Sequence, residues 1–149
     1  MFKIDFVDSQ VDRYREYGLV FIRIALGAVF IAHGGQKLFG LFGGKGLSGT
    51  IGFMDMLGFQ PAAFWGVLLA CGEFFGGLLA LLGLFTRWAG LCLAVIMSVA
   101  ILTVHLKNGF FMANKGIEFS GSLLCMALAL IFCGGGKLSL DDFLGNKER

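Results

Sequence analysis

Proline occurs once in 149 residues, histidine and tryptophan twice each, and charged side chains make up only 15% of the chain. Each scarcity excludes something. The net charge is +2 and the basic residues stand singly between apolar runs, so there is no patch with which to neutralise a nucleic acid. The four cysteines, Cys71, Cys92, Cys125 and Cys133, all lie within apolar runs and none forms a C-x-x-C pair, which excludes a disulfide scaffold and a dithiol redox motif. They read as small apolar packing residues, because a thiol in apolar surroundings is little ionised. The sequence also lacks G-x-S-x-G, P-loop, H-E-x-x-H and complete dinucleotide-binding fingerprints, and with them the usual soluble enzyme classes.

What the chain has in abundance is apolar length. Hydrophobic residues make up 57%, with 17 Phe and 24 Gly, and Gly is favoured where membrane helices pack closely. The runs predict an all-α integral membrane four-helix bundle in a single domain, 1–149, with helix one at about 17–42, helix two at about 62–85, helix three at about 88–106 and helix four at about 117–133. The first run is too long for a signal-peptide core and has no persuasive cleavage site. The Gly-rich segment 43–60 reads as an interfacial half-helix in the first outer loop, with Ser48 as its cap, and Pro61 sits where the next helix begins. Thr86-Arg87-Trp88 is a turn short enough to force helices two and three into an antiparallel hairpin. Gly134-Gly-Gly ends helix four, and Ser139 caps a short helix in the tail 134–149.

Orientation follows from the basic residues. Lys3, Arg13, Arg15, Arg87, Lys137, Lys147 and Arg149 fall on one side, against Lys37, Lys45, Lys107 and Lys115 on the other. That bias places both termini in the cytoplasm and predicts a multi-pass protein of the cell (inner) membrane. Helices one and three then run outward and end near His33 and His105. Helices two and four run inward and carry Glu73-Phe-Phe-Gly-Gly-Leu-Leu and Glu118-Phe-Ser-Gly-Ser-Leu-Leu, so a two-helix unit is used twice in tandem.

Glu73 is the most informative residue, because a carboxylate near the middle of an apolar span costs roughly 2.5–3.5 kcal/mol on insertion scales and therefore faces the protein interior. A rise of ~1.5 Å per residue puts Arg23 roughly 9 Å, His33 roughly 24 Å and His105 about 25 Å from the inner boundary, with Glu73 between the level of Arg23 and that of His33. Glu118 belongs near the outer mouth with the histidines and Lys37. The functional reading is a polar pocket in which Glu73, His33 and His105 are the proton-active, catalytic candidates and Arg23, Lys37 and Glu118 the ligand-binding ones. Against it stands a structural reading, in which Glu73 pairs with Arg23 or His33 only to fix helix register, the spacing Gly72-x-x-x-Gly76 allowing close approach. No metal is expected: there is no His-x-x-x-His or Glu-x-x-His pair, and Lys37, one turn beyond His33, would place a cation in the site.

At these residues the chain resembles the DoxX family of bacterial membrane proteins. The resemblance rests on Arg23-Ile-Ala-Leu-Gly27, Ala32-His-Gly-Gly-Gln-Lys-Leu-Phe-Gly40, Glu73-Phe-Phe-Gly-Gly, Leu82-Gly-Leu-Phe-Thr-Arg87, Val104-His105 with Gly109-Phe-Phe, Gly116-Ile-Glu118-Phe and Leu138-Ser-Leu-Asp141. It covers nearly the whole chain. It implies a four-helix plasma-membrane protein in which His33, Lys37, Glu73, His105 and Glu118 match the family pattern. The family takes its name from a subunit of a thiosulfate:quinone oxidoreductase, and wider relatives act as cargo receptors or assembly chaperones. With no paired cysteines, an oxidoreductase role here requires a bound quinone or a partner redox subunit to carry electrons. The expectation is a redox-associated subunit binding a quinone-like lipid; the alternative is a non-enzymatic protein that binds lipid, a small hydrophobe or an assembly partner through 43–60. Small-residue faces at Gly72/Gly76 and Gly83/Gly90 suit a homodimer.

Overall fold

In a computed structural model of the chain, Tyr14 and residues 17–145 are described. The rest of the polar segment 1–16, and residues 146–149, lie outside the described residues, and with them Lys3, Arg13, Arg15, Lys147 and Arg149, on which the orientation partly rests.

The described residues form helices and no strand. Helix α1 spans Gly18–Phe39, α2 Gly46–Met56, α3 Ala62–Leu82, α4 Thr86–Ala100, α5 Glu118–Cys133 and α6 Leu140–Gly145. A π-helical turn, Ile101–His105, and a 3-10 turn, Leu106–Asn108, prolong α4, so that Thr86–Asn108 forms a single span of 23 residues. At ~1.5 Å per residue, α1, α3 and this prolonged α4 reach about 30 Å or more, the thickness of a bilayer's hydrocarbon core. These three are long and apolar enough to cross a membrane. Helix α5, the fourth expected span, is apolar but has only 16 residues, shorter than the three helices long enough to cross.

Glycine decides how closely the helices approach. A Cβ on Gly34 would lie 2.4 Å from the Phe74 nitrogen, and one on Gly77 would lie 2.9 Å from the Ile31 nitrogen, so α1 and α3 touch backbone to backbone. Since Gly27 meets Leu81 while Gly34 meets Phe74, the two run antiparallel. Gly72 meets Ile96 and Gly76 meets Leu93, which makes α3 and α4 antiparallel as well, the hairpin predicted from the short turn. Leu26, Phe30, Leu93, Leu123, Ala127 and Leu130 close the core between α1, α4 and α5. Large apolar side chains such as Phe21, Trp88, Leu102 and Phe132 point outward, as lipid-facing residues do.

Helix α2 matches the expected half-helix in extent but not in its cap. Ser48 lies inside the helix and makes no capping bond; Lys45 holds the N-cap position without one either. The hydroxyl at work is that of Thr50, which donates to the α1 carbonyl of Lys37 at 3.2 Å and to that of Gly46 at 3.0 Å. On its other side Ile51 rests on Gly66 of α3, where a Cβ would lie 2.9 Å from the Ile51 side chain. Helix α2 is thus folded onto the ends of α1 and α3.

Candidate ligand-binding site

Beneath α2 lies a cavity of ≈ 870 Å³, walled by α1, α3, α4 and α5 and reached by Phe53, Met54 and Leu57 from above. That is toward the upper end of the roughly 300–1,000 Å³ of small-molecule sites. Its wall is largely apolar, with Val29 and Phe30 from α1, Trp65 and Leu69 from α3, Val95 and Met97 from α4, and Leu123 from α5. The polar exceptions are few: His33, Lys37, Glu73, Thr103, His105 and Ser120.

Glu73 is 3% exposed and forms a hydrogen-bonded ion pair between its Oε2 and the Lys37 ammonium, which is less deeply buried. This corrects the expected partner. Depth along the helices had matched Glu73 with Arg23 or His33, but antiparallel contact of α1 with α3 carries Lys37 to Glu73. His33, one turn before Lys37, shares its face and lines the same cavity.

His105 closes the π-helical turn of α4, and such turns concentrate at functional positions because they re-aim side chains. Its Nδ1 lies 2.8 Å from the Lys115 carbonyl oxygen. A carbonyl only accepts, so Nδ1 carries the proton, and Nε2 of the neutral ring is left as an acceptor. A second cavity of ≈ 190 Å³ shares His105, Phe119 and Ser120 with the first.

Two of the six sequence candidates lie elsewhere. Glu118 is the first residue of α5, where its carboxylate accepts the Met112 N–H at 2.7 Å and closes the loop that precedes the helix. Arg23 is 3% exposed and its guanidinium is spent on backbone carbonyls: Ala80 and Leu81 at the end of α3, and Gly135, Lys137 and Leu138 of the tail, at 3.0–3.3 Å. A cation suits the C-terminal end of α3, where the last carbonyls have no intrahelical donor. Gly83 makes room for it: its φ is +65°, and a Cβ there would lie 2.7 Å from the Arg23 Cζ.

Asp141, which the sequence reading quoted but gave no role, completes that end. Its carboxylate accepts the N–H groups of Phe85 and Thr86 and the Thr86 hydroxyl at 2.7–2.8 Å, capping α4 from the tail. Burial pushes this carboxyl up, but the Thr86 and Phe85 hydrogen bonds and the nearby Arg23 charge outweigh it and hold the group below its ordinary value. Ser139 caps α6 as expected, accepting the Asp142 N–H at 3.0 Å. The signal for Asp141 was present in Leu138-Ser-Leu-Asp141, but a cap donated across 55 residues of sequence has no local signature.

The cysteines are free thiols, and among the described residues no cluster of three or more His, Cys, Asp or Glu side chains has metal-site geometry.

A family match to DoxX covers residues 18–106, which includes His33, Lys37, Glu73 and His105. The chain is 35% identical over 129 residues to a Bacillus subtilis (strain 168) protein named "Putative oxidoreductase CatD", covering 87% of this chain and 88% of that one. It is also 32% identical over 143 residues to an uncharacterized protein of Haemophilus influenzae, covering 90% and 96% of the two chains. No solved structure matches. Sequence motifs, helical architecture and full-length relatives agree, and the chain belongs to the DoxX family.

Proposed function

We propose that this protein binds a quinone-like lipid in the intramembrane cavity and serves as a redox-associated subunit of the inner membrane. The observation that carries the reading is the buried Glu73–Lys37 pair on the wall of a cavity of ≈ 870 Å³ that is otherwise mostly apolar, with His33 and His105 on the same wall. An ion pair at membrane depth is costly to bury and so marks a candidate site, and Lys37 takes only one carboxylate oxygen. The name of the Bacillus subtilis relative supports the same reading.

The residues present suit such a ligand. Lys37 and His33 offer donors to a carbonyl oxygen, His105 Nε2 and Glu73 offer acceptors to a hydroxyl, and the apolar wall takes a ring and a tail. A bound quinone would supply the electron carrier that the chain's own side chains lack. The Glu73 carboxylate and His33 lie at the head-group end as proton acceptors, and His105, oriented through Nδ1 by the Lys115 carbonyl, presents Nε2 to take another. The basic-residue bias supports a cytoplasmic side for the α3–α4 turn and the tail, with the histidines toward the outer face.

Both tryptophans of the chain, Trp65 and Trp88, line the cavity, which gives a direct assay. Titrating a long-chain quinone into the detergent-solubilised protein will quench tryptophan emission saturably in wild type. Glu73→Gln and His33→Ala will insert and fold yet lose the saturable phase. Wild-type titrations in both variants would reject the reading.

The alternative is a non-enzymatic role in partner or lipid binding through α2 and its flanks, favoured by the exposed Phe42, Phe53 and Met56. On that reading, scrambling residues 48–58 removes partner association, while Glu73 and His33 tolerate conservative change.

A further inference from the structure

The cavity is not closed on all sides. Helices α3 and α4 touch around Gly72 and Gly76, and the cavity is lined by the first turns of α3 and by α4 along its length from Trp88. Its wall on this side is made of residues that are themselves exposed: Leu68 of α3 at 51%, and Trp88, Leu91, Val95 and Val99 of α4 at 41–71%. The α4 residues recur at intervals of three and four, so they form one stripe along that helix. From Trp88 to Val99 the stripe is about 16 Å long. No ionisable residue but Cys92 lies on α4 between Arg87 and His105, and in a membrane this stripe faces acyl chains rather than water.

From this we infer that the cavity takes a single-chain amphiphile that comes in sideways from the bilayer, between α3 and α4, with its head at Glu73 and Lys37 and its tail along the α4 stripe. The inference rests on the ligand-binding reading above but not on the head being a quinone. Two features narrow the class. The head-group end holds a paired cation and anion, a neutral combination, which matches an uncharged head that both accepts and donates hydrogen bonds and leaves no spare cation for a phosphate. The tail path is one helix stripe wide, which suits one chain rather than the two of a phospholipid. A prenylquinone and a neutral single-chain lipid such as a monoacylglycerol share this chemistry.

The test uses the full-length protein in nanodiscs and two probes, a prenylquinone and a monoacylglycerol, each with a diazirine at the tail end. After illumination, adducts are mapped by peptide mass spectrometry. Bulk lipid labels every lipid-facing surface, so the α1 residues Phe21 and Ile24, 73% and 50% exposed, serve as the reference face. The expected result is labelling at Leu91 and Val95 about tenfold above that reference, the ratio expected when a tail is held by its buried apolar area rather than by chance contact. Val95→Trp, which fills the groove from an exposed position, should abolish the excess and leave α1 labelling unchanged; Leu68→Trp, on the facing wall, should do the same and stands in if Val95→Trp fails to fold. Equal labelling of the two faces by both probes, or an excess that survives both substitutions, would overturn the inference. An excess with the monoacylglycerol alone would uphold the sideways route and reject the quinone reading instead.

Discussion

The ion pair between Lys37 and Glu73 is asymmetric in its burial, and its two halves respond differently to removal. Taking away Lys37 strands a carboxylate that is 3% exposed; breaking a buried pair in this way costs about 3–5 kcal/mol when both groups are fully buried. Because the Lys37 side chain is 28% exposed, solvent screens the pair, and Lys37→Met should destabilise the protein by about 2–3 kcal/mol. Glu73→Gln keeps the shape of the side chain and leaves behind the more exposed partner, so about 1 kcal/mol is expected. Thermal unfolding in detergent separates these values, and the double variant should be more stable than Lys37→Met alone. Equal losses in the two single variants would show that burial does not govern the pair. That Glu73 is buried was legible in the sequence, because the cost of an acid at membrane depth is a property of the residue. Its partner was not. Rise along an axis gives depth and says nothing of azimuth, and Arg23, placed below Glu73 by depth, turns instead to the carbonyls at the end of α3.

Among the elements, glycine separates contact from mere composition. A Cβ on Gly34 would sit 2.4–2.8 Å from Phe74 atoms that include backbone, whereas one on Gly121 of α5 meets nothing within 4 Å. Gly34→Ala should therefore destabilise by roughly 1–3 kcal/mol or more, and Gly121→Ala should be neutral or gain up to about 1 kcal/mol of helix propensity. Unfolding midpoints of the two variants check this, and an equal effect would undo the assigned α1–α3 contact. At the other end of the bundle, the Asp141 cap ties the tail to the start of α4. The folded state holds this carboxyl below its unfolded value, so its stabilisation is present above the ordinary aspartate range and is lost as pH falls through the lower folded value. Asp141→Asn should lower the midpoint at neutral pH and flatten its fall on acidification below about pH 4. A pH profile unchanged by the substitution would contradict the assignment. The long apolar runs made α1, α3 and α4 legible, and the short turn at 86–88 made α3 and α4 antiparallel. The π-helical turn at His105 and the role of Thr50 were not legible; the Thr50 bond joins α2 to the Lys37 carbonyl of α1 and has no local signature.

At the scale of the whole molecule, three helices are long and apolar enough to span, and α5 packs beside them as a 16-residue apolar helix. If both ends of the chain face the cytoplasm, α5 crosses as well, thinning the bilayer locally or letting its flanks snorkel. A green fluorescent protein fused after Arg149 should then fluoresce, and alkaline phosphatase fused in the 109–116 loop should be active. The reverse pattern would invert the topology and place the histidines on the cytoplasmic side. Both histidines lie on the cavity wall, whereas the two glutamates part company: Glu73 faces that cavity while the Glu118 carboxylate accepts the Met112 N–H. The central claim is that the cavity holds a redox lipid in the native membrane. It is tested most directly by purifying the protein gently from that membrane, extracting it with organic solvent and quantifying quinones and lipids by mass spectrometry, with Glu73→Gln in parallel. The account predicts a quinone approaching one per chain in wild type and its loss in the variant; only bulk phospholipid in both samples would contradict it.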